Sequence, residues 1–267
     1  MRQPRVMTPA DGIAWITGAG TGIGRATALE LARRGWRVAV SARRAETLEA
    51  LVALVPDRLI AVPCDVTRRK AVESTVQRLE AEQGPIALAF LNAGVSIHVH
   101  APTLDMDAVR TIMDTNVMGV FHGVGALLPV MAARGQGQIA LCASVAGYGG
   151  LPRASAYCAS KAAVINAAVS LAIECRALGL HIQCVNPGFV ETPLTAKNDF
   201  PMPFLMQPEE AGRRIADGLA GRRFEITFPR RFAWLLKVFN LLPYELYIAL
   251  VAMGSARALK KPQPKAL

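Results

Sequence analysis

Acid is what this sequence is short of. Its 267 residues carry 20 Asp and Glu against 30 Lys and Arg, a formal charge of +10. The imbalance is local. Arg230, Arg231, Lys237, Arg257, Lys260, Lys261 and Lys265 face a single acid, Glu245, between 229 and 267, so that end alone carries +6. Nucleic acid and anionic lipid both suit such a stretch, but no nucleic-acid recognition motif accompanies it, so no nucleic-acid partner is expected. Cysteine is scarce and odd in number, with five residues and no metal-like spacing, which reads as reduced thiols of a cytosolic protein. No metal is expected. His98 and His100 alternate in "SIHVH" but have no third ligand at a suitable spacing, and are expected to line a substrate mouth or face solvent. The opening "MRQPRVMTPADGIAWITGAG" has no long apolar run before a small-residue cleavage site, so no secretory leader is expected. Repeats are missing, and the tail "KKPQPKAL" is the one low-complexity stretch.

What is present is apolar surface. Hydrophobic residues make up 52% and charged residues 19%, which excludes disorder and allows a large core. With no break in composition, one domain is expected over 1–267, with a core at 12–228 and a basic, apolar helical extension at 229–267. Within the core, strand and helix patterns alternate. "GIAWITG", "WRVAVSA", "LIAVPCD", "IALAFLNAG", "GQIALCAS", "LHIQCVNPG" and "RFEITFP" read as seven strands separated by helical stretches. The longest of these stretches, "DAVRTIMDTNVMGVFHGVGALLPVMAARG", places Asn116 near a helix junction. Continuous apolar strands between helices predict an α/β fold whose doubly wound, seven-stranded parallel sheet is covered on both faces. In such sheets ligands bind at the carboxyl ends of the strands. Polar or glycine-rich signals fall at those ends: "TGAGTGIG", "SARR", "CDV", "NAG", "AS" and "NPG". Each alone could be a turn; their placement on one edge is what turns do not require.

After the first strand, Gly18, Gly22 and Gly24 fit T-G-x-x-x-G-x-G, with Thr21 and Ile23 between them. Missing Cβ atoms let backbone approach a pyrophosphate seated at a helix N-terminus. An NAD site places an acid about 20 residues further on, against the ribose 2′-hydroxyl. Here the second strand ends Ser41-Ala42-Arg43-Arg44. Two guanidiniums and a hydroxyl suit a 2′-phosphate, so NADP is the expected cofactor, unless the arginines are only solvated residues at a helix start. Further along, "SAYCASKAA" sets Tyr157 and Lys161 about one helical turn apart among small residues. A cation beside a phenol stabilises phenolate, so the tyrosine pKa is expected to be lowered and the phenol poised for acid–base work.

In the matching order and spacing of "TGAGTGIG", "CDV", "NAG", Asn116, Ser144, "YCASK" and "NPGFVETP", the chain resembles the short-chain dehydrogenase/reductase family over roughly residues 12–228. The resemblance implies a Rossmann-type domain and a homodimer or homotetramer. It implies Asn116, Ser144, Tyr157 and Lys161 as the catalytic set. Tyr157 would be the general acid in reduction and base in oxidation, Lys161 would bind the nicotinamide ribose, Ser144 would hold the substrate oxygen, and Asn116 would support a water-linked proton path. It also implies adenine contacts at Asp65 and Val66, an adenosine-ribose wall at Asn92 and Gly94, and carboxamide contacts at Val190 and Thr192. Leu91 departs from the family, where many members carry Asn, and puts one loop hydrogen bond in question.

The expected function is NADP-dependent interconversion of a carbonyl and a secondary alcohol. A catalytically silent NADP-sensing or scaffold protein on the same fold is the alternative. Tyr148 is expected either in the substrate cleft or as a plain loop aromatic. In 230–254, Phe232, Leu235, Leu236 and Phe239 recur at i, i+3, i+4, i+7, and Pro243 breaks the pattern. The segment is expected to cap the cleft, form a subunit interface or lie peripherally on the inner face of a membrane, and an apolar surface by the cleft predicts a hydrophobic substrate.

Overall fold

The computed structural model describes residues 4–196 and 198–259. Its strands are β1 (Ile13–Thr17), β2 (Val38–Ser41), β3 (Leu59–Ala61), β4 (Ile86–Leu91), β5 (Gly137–Cys142), β6 (Leu180–Pro187) and β7 (Glu225–Phe228). The helices are α1 (Gly22–Arg33), α2 (Ala45–Val52), α3 (Arg69–Glu82), α4 (Met106–Met113), α5 (Gly119–Arg134), α6 (Ser155–Cys175), α7 (Pro208–Leu219), α8 (Arg230–Phe239) and α9 (Tyr244–Leu259). The strands form one parallel, seven-stranded sheet in the order β3-β2-β1-β4-β5-β6-β7, a Rossmann-type α/β fold.

Apolar runs without alternation are what two covered faces demand, since successive side chains point to opposite sides. In β1, Ala14 and Ile16 point to one side and pack with Val38, Val40, Phe90 and Val185 beneath Leu31, Leu48 and Ile215 of α1, α2 and α7. Ile13 and Trp15 point to the other and pack with Ala39, Ala89, Leu91 and Ile139 beneath Val76, Val124 and Val164 of α3, α5 and α6. Chain winding reverses between β1 and β4, which opens a crevice at their carboxyl ends.

One expectation is met and one changes. The helix junction expected near Asn116 is a π turn over Asp114–Met118 that joins α4 to α5, and Asn116 sits in it. In α8, Phe232, Leu236 and Phe239 are partly buried, but Leu235 is 52% exposed and shares an outer face with Trp234 and Val238. Pro243 lies between α8 and α9, where the sequence predicted a break.

Candidate active site

The glycine loop is shaped by close approach. Gly18 has φ +67°, and a Cβ there would lie 2.7 Å from the Ala93 Cα. A Cβ on Gly24 would lie 2.4 Å from the Gly18 carbonyl oxygen. Asn92 fastens the loop, its amide donating to the carbonyls of Thr17 and Gly18 at 3.0 and 3.2 Å. The Thr17 hydroxyl in turn accepts from the amides of Asn92 and Ala93 at 3.0 and 3.1 Å. α1 begins at Gly22 behind Thr21, which is extended and makes no side-chain cap, so the first helical N–H groups carry no side-chain acceptor from Thr21. Gly22 has φ +55°, and a Cβ there would meet the Thr192 methyl at 2.9 Å. The glycine loop and the segment after β6 therefore face each other directly, with Ile23 partly buried in α1.

At the end of β2, Arg43 and Arg44 are exposed. Ser41 is not with them. It is fully buried, and its hydroxyl accepts from the Trp15 indole at 2.9 Å. Its expected place beside a 2′-phosphate is corrected accordingly. Asp65 is partly buried and closes a short turn, accepting from the Thr67 amide and hydroxyl at 3.0 and 2.8 Å. The Val66 side chain is turned inward, against the place where a Cβ on Gly119 would sit, and its carbonyl is 2.8 Å from His122 Nδ1. Leu91 is buried opposite Gly123, and the loop hydrogen bonds come from Thr17 and Asn92.

Asn116, Tyr157 and Lys161 converge beyond Gly94. Asn116 is fully buried in the π turn, a helix irregularity often found at functional sites. Its Oδ1 accepts from the Val95 amide at 2.8 Å, and its Nδ2 donates to the Val95 carbonyl at 2.9 Å and to the Ser160 hydroxyl at 3.0 Å. A Cβ on Gly94 would sit 3.2 Å from Asn116 Oδ1 and 3.5 Å from Lys161 Nζ. Lys161 is buried, donates to the Cys142 carbonyl at 2.8 Å, and lies 5.7 Å from the centre of the Tyr157 ring. Ser144 caps the turn Val145–Gly147, accepting from the Ala146 amide at 3.1 Å.

Electrostatics here run against the sequence expectation. Burial pushes the Tyr157 phenol up, and the neighbour that pulls it down is Ser144 rather than Lys161. Burial also lowers the Lys161 ammonium, which weakens it as a stabiliser of phenolate. The phenol is thus held protonated, the state of a proton donor.

The segment between β6 and α7 is pinched at its base by the parallel bridge Val190↔Met206. Val190 is buried, and the Thr192 amide donates to Thr195 Oγ1 at 3.0 Å. Aromatic rings line the segment: Phe189 lies about 6.0 Å from both Phe200 and Phe232, and Phe232 lies 6.0 Å from Phe204. His98 joins them, 6.2 Å from Phe200, with its Nδ1 3.4 Å from an Arg153 nitrogen. Among the described residues, no three of His, Cys, Asp and Glu gather as metal ligands. Tyr148 is not free in the cleft; its hydroxyl donates to Glu225 at 2.5 Å.

Sequence reasoning missed Ser160, whose hydroxyl donates to the Tyr157 carbonyl at 2.7 Å while accepting from Asn116. Its one signal was a serine inside a helix, where back-bonding to the preceding turn is the usual outlet. The phenylalanine wall was missed as well, because Phe189, Phe200 and Phe204 follow β6 while Phe232 comes from α8.

A family model described as short chain dehydrogenase matches residues 12–201. An uncharacterized oxidoreductase of Myxococcus xanthus (strain DK1622) is 38% identical over 244 residues, covering 88% of this chain and 94% of the relative. Cyclohexanol dehydrogenase of Acinetobacter sp. (strain SE19) is 33% identical, covering 76% and 86%. Among solved structures, a short-chain dehydrogenase from Streptomyces avermitilis superposes with a TM-score of 0.79 at 24% identity, covering 94% of this chain and all of that one. A 3-ketoacyl-(acyl-carrier-protein) reductase from Brucella melitensis, complexed with NADH, superposes at 0.75 and 24% identity, covering 82% of this chain and 98% of that one. At that identity the two structures speak for the fold. The chain belongs to the short-chain dehydrogenase family and is an oxidoreductase of that family, whose members use nicotinamide cofactors on small molecules.

Proposed function

We propose that the protein is an NADP-dependent oxidoreductase that interconverts a carbonyl and a secondary alcohol on a hydrophobic substrate. The observation that carries this is the convergence of Asn116, Tyr157 and Lys161: Asn116 bonds Ser160, Ser160 bonds the Tyr157 main-chain carbonyl, Lys161 lies 5.7 Å from the Tyr157 ring, and Ser144 is the hydrogen-bond partner of the phenol. The glycine loop fits a dinucleotide: side chains at Gly18 and Gly24 would push the loop off Ala93 and Asn92, one at Gly22 would push it off Thr192, and the tight loop leads into the N-terminus of α1, where a pyrophosphate is favoured. Thr21, Ile23 and the first amides of α1 would border the pyrophosphate, and Asn92 and Gly94 the adenosine ribose. Asp65 and the main chain of Val66 would border the adenine, and Val190 and Thr192 the nicotinamide carboxamide. Arg43, helped by Arg44, would pair the 2′-phosphate. A bound NADPH would supply hydride to the carbonyl carbon. Ser144 would hold the carbonyl oxygen, and Tyr157 would give it a proton, acting as base in the reverse direction. Lys161 would hold the nicotinamide ribose, and Asn116 would keep its end of the proton path in place. The rings of Phe189, Phe200, Phe204 and Phe232 favour an apolar substrate.

A screen of ketones, acyl thioesters and secondary alcohols, following NADPH absorbance, tests this reading. Turnover that is lost in Tyr157→Phe is expected; binding of NADPH without turnover of any substrate would favour the silent sensor.

The same proposal takes the chain as one cytoplasmic domain with a C-terminal extension, assembled as a homodimer or homotetramer. Exposed Met118 and Phe121 of the π turn and α5, and Val169 and Ile173 of α6, are apolar surface suited to a second copy. Light scattering after gel filtration reads the state. The extension is proposed to rest on anionic lipid. Its outer face exposes Trp234 (67%), Leu241 (83%) and Tyr244 (80%), with Arg230 and Arg231 exposed at the start of α8. Lys260, Lys261 and Lys265 lie outside the described residues, as does the Arg257 side chain. Full-length protein should sediment with phosphatidylglycerol vesicles at low salt, and Leu241→Glu should stay in the supernatant. Wild type remaining in the supernatant would remove the membrane contact from the proposal.

A further inference from the structure

Glu225 opens β7 as a half-buried acid, and three donors converge on it. Tyr148 Oη donates to Oε1 at 2.5 Å, Asn186 Nδ2 donates to the same oxygen at 2.8 Å, and Lys237 of α8 donates to Oε2. The Lys237 ammonium also lies over the Tyr148 ring, 5.1 Å from its centre. Burial opposes ionisation of Glu225, yet hydrogen bonds from Lys237, Tyr148 and Asn186 hold its carboxyl below the usual range. Tyr148 ends the turn that Ser144 begins. That turn has little slack: a Cβ on Gly147 would lie 2.8 Å from the Lys161 carbonyl carbon. Two residues on, Tyr247 of α9 donates to the Gly150 carbonyl at 2.8 Å.

We infer that Lys237, Glu225 and Tyr148 are positioning residues for Ser144, which makes α8 a working part of the catalytic site. This rests on Ser144 as the partner of the substrate oxygen. Lys237 pairs the acid; the acid holds the Tyr148 hydroxyl; Tyr148 ties the far end of the Ser144 turn to β7, while Gly147 seats the turn against α6. The family match ends at residue 201, so Glu225 and Lys237 come from a part of the chain outside it. Without Lys237, a half-buried carboxylate loses its ion pair, and the turn gains freedom to move. Misplacing a substrate-holding group by about 1 Å costs on the order of a hundredfold in rate.

The test uses full-length Lys237→Met, Tyr148→Phe, their double variant and Lys237→Arg. Each single change should lower kcat about tenfold or more, with NADPH affinity within about twofold of wild type, because the dinucleotide cradle lies at β1 and β4. The double variant should be no slower than the worse single variant, and Lys237→Arg should recover most of the rate. Wild-type kcat in both single variants, or a double variant whose loss multiplies the two single losses, would overturn the inference. Should Lys237→Met not fold, Tyr148→Phe, which removes one hydroxyl, carries the decision. Amide hydrogen exchange over 145–150 gives a readout that needs no substrate. Faster exchange in the variants supports the inference even if wild type reduces nothing, an outcome that would sink the proposed function alone. Unchanged exchange sinks the inference.

Discussion

Asn116→Ala is the sharpest perturbation of the site. It removes three hydrogen bonds: two to the main chain of Val95, at 2.8 and 2.9 Å, and one to Ser160 at 3.0 Å. Asn116 is fully buried, so no solvent stands ready to replace the lost partners. Each stranded backbone group costs about 1–3 kcal/mol, which puts the loss at roughly 2–5 kcal/mol. For a chain of this size, that is a fall in Tm of roughly 5–15 °C. Ser160→Ala gives the comparison. It removes one bond from Asn116 and one to the Tyr157 carbonyl, but that carbonyl lies inside α6 and has its regular helical donor. About 1–2 kcal/mol is expected there. Urea unfolding of both variants beside wild type measures the difference. A loss in Asn116→Ala no larger than in Ser160→Ala would refute the reasoning, since it would mean that the Val95 bonds carry nothing.

Three more outcomes follow from the geometry. Arg43→Ala should weaken NADPH binding by about 1.5–3 kcal/mol and leave NADH binding unchanged; equal losses for both cofactors in a fluorescence titration would separate Arg43 from the 2′-phosphate. Tyr157→Phe should bind NADPH as wild type does and lose turnover on the order of a hundredfold or more, read in a stopped or continuous absorbance assay. Glu30, bonded to Arg33 and Arg34, has its carboxyl drawn down from 4.5 to about 2, chiefly by the Arg33 hydrogen bond against the pull of burial. A folded pKa below the unfolded one gives stability that is full above pH 4.5 and lost as pH falls towards 2, so Glu30→Gln should flatten that part of an acid unfolding curve.

The sheet was legible because burial on both faces writes strands as unbroken apolar runs, and each of the seven runs became a strand. The glycines were legible because backbone approach forbids side chains there; Gly18 and Gly22 carry positive φ as well. Ser41 was not legible. Strand parity decides whether it faces the cleft or the core, and the deciding partner, Trp15, lies on a neighbouring strand. The junction near Asn116 was legible but its π geometry was not, since a change in local hydrogen bonding by one residue leaves the apolar pattern of α4 and α5 almost intact. The direction of the Tyr157 shift was missed because spacing shows Lys161 nearby but not how far burial acts on both groups. The Tyr148–Glu225 bond spans 77 residues of sequence, and no local pattern announces it.

The five cysteines, Cys64, Cys142, Cys158, Cys175 and Cys184, are all buried, and burial raises the pKa of each. Thiols in that state are shut away from electrophiles and short of thiolate, the form that reacts. The folded protein should therefore refuse maleimide, and labelling should begin only when a segment opens. Because the five lie on both sides of the sheet and along α6, the order in which they take up label would record the order in which the fold comes apart.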